Sequence, residues 1–317
     1  MSNASFQSNS ETTPGSPDAV LVLDDQVRQN LIETKATCPF IGSAIAQGTL
    51  AVRNSTTRPL AGIEDVRSLG NTGGGDLGDL LVFFASGNHA FMPDHSGQLT
   101  DAVPAGLFSL DFPGSQGSHP GHSGTLQGDP ERTDSGQLSR PDLERLTRHA
   151  TDGWIKRSDV GHFIAENLLR DPNAKVFGMK VAALLAADLG AFVETIGPAW
   201  MKKLFASGAE ATTAHRNLEE KLAQLLGEDN LVGSAGEFGL LFAFLAQRPG
   251  ARNVENEAAI SVQDVEAMFA EKRLPEGWER WRKLRIDWVR HTTALLISAG
   301  RSYHASQRAR NAPPSGA

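Results

Sequence analysis

Cys38 is the only cysteine among 317 residues, so it has no partner for an intrachain disulfide. Its side chain is either a small buried apolar group or a thiolate that does chemistry. Pro39 carries no backbone N–H and fixes its own φ, which pins the sulfur at the entry to the segment that follows. Ile41 to Leu50 then reads as one helix, in which Gly42, Ser43, Ala44 and Ala46 offer a surface that a large flat group could approach. A second chemical position is Glu237, within Gly236-Glu237-Phe238-Gly239-Leu240-Leu241-Phe242, where an acid opens an apolar helix. It either answers the helix dipole or is a carboxylate enclosed by aromatic and aliphatic groups, whose raised pKa would suit proton transfer.

Three further stretches have the outline of a site without its full chemistry. Gly121-His122-Ser123-Gly124-Thr125 nearly spells the nucleophile elbow of serine hydrolases, with Ser123 as the nucleophile. That elbow needs a buried strand before it, and Pro113 to Pro120 is rich in Gly, Ser and His. Glu131 to Asp142 has the glycine and the apolar position of a calcium loop. Only its first and last positions are acids, and the last is a short one, so a turn followed by a helix cap is the better reading. Gly73-Gly74-Gly75 lacks the Gly-Lys-Ser/Thr ending of a phosphate loop and reads as a flexible turn.

The elements that must position these groups are mostly helices. Asp24 and Asp25 can cap a helix from Gln26 to Thr34, and a second helix runs from about Gly62 to Leu69. Gly87 to Gly136 is a long Gly/Ser/Pro/His/Asp-rich stretch holding His89, His95, His119 and His122. Beyond it, Ser139 to Asp142 begins a helix, Asp152-Gly153 turns the chain, and Trp154 to Leu169 is amphipathic. Helices follow at Leu77–Ala85, Val176–Leu189, Pro198–Ala206 and Leu218–Leu226, the first of these preceding the long loop. Ser261 with Asp264 caps another, and Trp281, Leu284, Trp288, Leu295 and Ala299 recur on a long final helix. The class is mainly α, a single helical domain with a long Gly/Ser/His-rich loop region. Residues 1–19 read as a disordered tail, 20–303 as the domain and 304–317 as a polar tail.

Composition bounds the partners. A net charge of −7 and a pI near 5.7, with no long Lys/Arg stripe, argue against nucleic acid. No window is long and apolar enough for a membrane span, and the polar start has neither the basic opening nor the apolar run of a signal peptide. The expectation is a soluble protein, cytoplasmic or otherwise intracellular.

Cys38-Pro39, with Gly48-Thr49-Leu50 beginning ten residues after the cysteine, resembles the Cys-Pro helix of the chloroperoxidase-like haem-thiolate peroxidases, peroxidase family 2, which include the unspecific peroxygenases. Gly236-Glu237 leading to Leu240-Leu241-Phe242 and Gln247-Arg248-Pro249-Gly250 is similar to that family's Gly-Glu helix. Met268-Phe269-Ala270-Glu271-Lys272-Arg273-Leu274-Pro275-Glu276-Gly277-Trp278 looks like its Phe-Phe-x-x-Glu-Arg-Leu-Pro-x-x-x-Gly-Trp stretch. The three follow in the family's order between about Lys35 and Trp278. Thr37 stands where the family has its first proline, and the Leu-Pro step is missing.

The resemblance implies a chloroperoxidase-type helical domain that encloses haem b and uses hydrogen peroxide to oxygenate, one-electron oxidise or halogenate a small organic substrate. Cys38 would be the proximal ligand of the haem iron, with Pro39, Phe40, Ile41 and Ala44 against the cofactor. Glu237 would be the distal acid-base and His122 the histidine that orients it, with His119 as the alternative. The family's divalent ion, Mg or Mn, would have His122 and Thr125 as its counterparts here, but the acid of that motif is Gly121. The peroxygenase arginine falls at Asn230. Phe83, Phe84, Phe238 and Phe242 are the candidate pocket walls. The competing classes are a serine hydrolase acting through Ser123 and a cofactor-free helical binding protein of the same fold.

Overall fold

Three helices packed through glycines form the centre of the protein. The computed structural model describes residues 20–34, 36, 38–54, 59–70, 107–110, 124–126, 138–176, 230–281 and 288–311, and these are predominantly helical. In chain order the helices are α1 (Asp25–Thr34), α2 (Pro39–Ala46), α3 (Ile63–Leu69), α4 (Arg140–Arg148), α5 (Arg157–Arg170), α6 (Asn230–Leu245), α7 (Val262–Phe269) and α8 (Trp288–Asn311). The last of these lies against both α5 and α6. Gly161 on α5 faces Ser298 of α8, where a Cβ would come 2.6 Å from the serine Cβ. Gly239 on α6 faces Thr292, and a Cβ there would lie 3.1 Å from the threonine Cα. Glycine is needed at both sites for close backbone approach. Trp288 Nε1 adds a hydrogen bond to the Gly236 carbonyl at 2.9 Å, and Phe163 meets Phe238 edge-on at 6.1 Å.

Two small antiparallel sheets flank this core, one in the order β1 (Val52–Asn54), β2 (Pro59–Gly62), β3 (Leu107–Ser109), the other in the order β4 (Trp154–Lys156), β6 (Glu257–Ser261), β5 (Asn253–Val254). The second sheet corrects the sequence reading of Trp154 to Leu169 as one helix. Trp154, Ile155 and Lys156 pair with Ser261, Ile260 and Ala259. The helix starts only at Arg157, where Asp159 Oδ2 accepts from the Lys156 amide at 3.0 Å. The same strand alters the expected Ser261–Asp264 cap. Ser261 ends β6 without a side-chain cap bond, and Asp264 is drawn to Arg248 instead.

Other boundaries move for local reasons. Helix α2 begins at Pro39, where a missing N–H costs nothing. It stops at Ala46 because Gly48, at φ +69°, turns the Thr49 amide onto the Ala44 carbonyl at 2.9 Å. The expected cap of α1 is present, with Asp24 Oδ1 accepting from the Val27 amide at 2.8 Å. Trp281 is extended and follows a 3-10 turn at Trp278–Arg280, so it is not on the final helix. That helix instead continues to Asn311, through the start of the segment read as a polar tail, and Arg310 Nη1 reaches the Leu169 carbonyl at 3.1 Å. The helices expected at 77–85, 176–189, 198–206 and 218–226 and most of the long loop lie outside the described residues. Among the described residues no helix is long and apolar enough to cross a membrane.

Candidate functional site

Cys38 is the N-cap residue of α2, with 4% of its surface exposed. Burial pushes the thiol up from 9.0 to about 11, against the pull of the Ile41 and Phe40 amides; the negative charge of Glu237 pushes it further, and the Lys272 cation pulls it back. The sulfur closes no cap hydrogen bond of ordinary length. The amides act on it as nearby dipoles at a helix N-terminus, the setting that favours a thiolate. Burial outweighs both the amides and the Lys272 cation, so the sulfur stays protonated at neutral pH.

Helix α2 is held from three sides. Gly42 meets α1, where a Cβ would lie 3.0 Å from Ile32 Cγ2 and 3.3 Å from the Ala36 carbonyl oxygen. Ser43 Oγ bridges the Pro39 carbonyl at 2.7 Å and the Met268 carbonyl at 3.2 Å, which ties α2 to α7. Phe40 stacks on Phe244 at 5.6 Å and meets the tilted ring of Trp278 at 4.9 Å. The small-residue face expected to receive a flat group is therefore filled, at Gly42 and Ser43, by protein. Ile41 and Ala44 are fully buried in the same helix.

The strap after α7 brings a cation to the sulfur. Leu274 N donates to Gln47 Oε1 at 2.9 Å, and Arg273 N donates to the Ala267 carbonyl at 2.8 Å. Just before these anchors Lys272 sits at φ +50°, a conformation that a lysine adopts only where its surroundings impose it. Burial lowers its pKa, while the charges of Glu33 and Cys38 raise it. Lys272 falls within the Met268–Trp278 stretch, but nothing in its spacing predicts that its charge acts on Cys38. The next residues, Arg273 to Glu279, wall a cleft of about 590 Å³ with Arg53 and Asp65 across from them.

Glu237 is not at a helix start. Helix α6 begins at Asn230, so the acid lies about two turns inside it and the helix dipole does not account for it. Its neighbours Gly236 and Phe238 are buried, while Glu237 itself is half-buried. The carboxylate is thus only partly enclosed, and its charge acts on the sulfur of Cys38. Phe238 and Phe242, expected as pocket walls, pack into the core against Phe163 and His291 respectively. Asn230 is engaged at the start of α6, its Oδ1 accepting from the Lys175 amide at 2.8 Å.

The segment 124–126 also comes to this helix. A Cβ on Gly124 would lie 2.8 Å from Ser234 Cβ and 3.1 Å from Ile164 Cγ2, with the Ser234 hydroxyl closer still. Ser234 is fully buried, its Oγ has no hydrogen-bond partner among the described residues, and it lies one turn before Glu237 on the same face. Sequence reasoning missed it, although the i, i+3 spacing identifies it once α6 is known to start at Asn230. Thr125 is buried, and Asn167 Nδ2 reaches its carbonyl at 3.5 Å. His119, His122, Ser123, Phe83 and Phe84 lie outside the described residues.

Of the expected calcium loop, Asp142 is taken up by Arg145 at 2.9 Å and Arg170 at 3.3 Å. Among the described residues no cluster of three or more His, Cys, Asp and Glu could hold a metal ion. No family model, curated protein or solved structure matches the chain.

Proposed function

We propose that the protein is a haem-thiolate peroxidase of the chloroperoxidase-like kind, which uses hydrogen peroxide to oxidise a small organic substrate. The supporting observation is that folding brings Cys38 and Glu237 close enough for the carboxylate's charge to act on the buried sulfur. The donor fits the group: a single thiol at a helix N-terminus, flanked by two amides that favour its charged form and lacking only a metal cation to hold it there. Haem b, when bound, supplies the activation of peroxide at its iron. Cys38 supplies the thiolate and gives up a proton as it binds. Glu237 takes a proton from one peroxide oxygen and returns it to the other, a task for a carboxylate reachable by solvent but set among apolar neighbours. The filled face of α2 favours a second reading, a helical binding protein of this fold without the cofactor.

An absorption spectrum separates the two. Protein expressed with haem supplementation is expected to show, when reduced and bound to carbon monoxide, the red-shifted Soret band of thiolate ligation. The Cys38→Ala variant loses that band. The Glu237→Gln variant keeps the haem and loses most peroxide turnover. Wild-type protein that takes up no haem removes the proposal, and unchanged turnover in Glu237→Gln removes that residue from its role.

A further inference from the structure

We propose that Gly124 and Ser234 form a size-matched pair that positions Glu237, by locking the 124–126 segment onto the turn of α6 that carries the carboxylate. The inference rests on the peroxidase reading and adds two positioning residues to it. Gly124 has no backbone need to be glycine, since its φ is not in the left-handed region; it is glycine because Ser234 fills the space where a Cβ would go. Ser234 in turn keeps a fully buried hydroxyl without a partner among the described residues, a feature that hydrophobic packing alone does not favour. The segment is fixed on its other side as well. Leu126 is fully buried, and its carbonyl accepts from the Ser139 amide at 2.9 Å. Asn167 of α5 reaches the Thr125 carbonyl, and Asn167 is itself held by Arg145. Any displacement of 124–126 is therefore passed to α6 at Ser234, one turn from Glu237. A carboxylate that moves protons tolerates little displacement, since about 1 Å is worth roughly 100-fold in rate.

A set of size swaps tests the pair in the haem-loaded enzyme. Gly124→Ala is expected to lower kcat by roughly 10- to 100-fold with KM changed less than about 3-fold. Adding Ser234→Gly, which removes both the hydroxyl and the Cβ, should restore kcat to within about 5-fold of the Ser234→Gly single variant. Adding Ser234→Ala, which leaves the Cβ 2.8 Å from the new methyl, should not. Haem content and thermal midpoint are followed in every variant, so that lost folding is not mistaken for lost positioning. If Gly124→Ala keeps its kcat, or if Ser234→Ala rescues as well as Ser234→Gly, the pair has no such role and the peroxidase reading stands. Absence of the thiolate Soret band in wild-type protein ends both.

Discussion

The burial of Cys38 makes a prediction about stability and pH that needs no cofactor. Folding raises its thiol from 9.0 to about 11, chiefly by desolvation. The folded state therefore favours the protonated sulfur, and above pH 9 the unfolded chain releases a proton that the folded chain retains. Stability from this group is fully present below pH 9 and is lost as pH rises through 11. Two pKa units correspond to about 3 kcal/mol in total, and at pH 10 about half of that has gone. The sulfur is buried, so solvent screening takes little from the figure. Other groups titrate in the same range, so the quantity to measure is the difference between cofactor-free wild type and Cys38→Ala. Urea unfolding at pH 7, 9 and 10, with thiolate absorbance in the ultraviolet recorded alongside, gives both the stability difference and the thiol's own titration. The wild-type advantage should be nearly constant from pH 7 to 8.5 and then shrink by about half of that figure at pH 10. A difference that does not change, with a thiol titrating near 9, refutes the buried setting assigned to Cys38. On the proposed peroxidase reading the same linkage would make haem uptake release a proton, and loading would improve as pH rises.

Two other perturbations test the frame around the site. Gly239→Ala places a methyl against Thr292 where α6 and α8 touch, and should cost about 1 to 3 kcal/mol in urea unfolding; a neutral effect would falsify the close helix contact. Arg248→Met leaves the Asp264 carboxylate, at 3% exposure and 2.9 Å from the lost guanidinium, without its partner, and should cost about 3 to 5 kcal/mol at pH 7. Burial raises the Asp264 pKa, so the stabilising neutral form is favoured at low pH and its contribution is lost as pH climbs. The variant should accordingly sit closer to wild type at pH 4 than at pH 7, and an equal gap at both would show that Asp264 is not the group left stranded.

Helix identity was legible where apolar spacing decided it, and boundaries were not where a partner strand or a glycine decided them. Leu143 and Leu146 on α4, and Val265 and Phe269 on α7, point inward as their spacing predicts. Trp154 to Lys156 carries the same apolar signal as the helix behind it, and only pairing with Ala259 to Ser261 makes it a strand. That information lies about a hundred residues further along the chain. Nothing in the chain around Gly161 and Gly239 tells why they are glycines, and only the hydroxyl residues of α8 opposite them show why no side chain fits.

For the site, the same division separates what a residue is from what surrounds it. Cys38 stood out because it is alone, and the helix read from Ile41 to Leu50 in fact runs from Pro39 to Ala46. The small residues after it were read as room for a ligand, yet Ile32 and the Met268 carbonyl occupy that room at Gly42 and Ser43. Glu237 was found for a reason that fails, a helix start that is really a helix interior. In mid-helix, half-buried among buried neighbours, the acid has no helix dipole to answer. Lys272 and Ser234 were invisible because their importance is entirely relational: one is a cation carried to a sulfur by a strained backbone, the other a hydroxyl one turn from a carboxylate. Together with Gly124 they make the surroundings of Cys38 and Glu237 charge-coupled and tightly fitted.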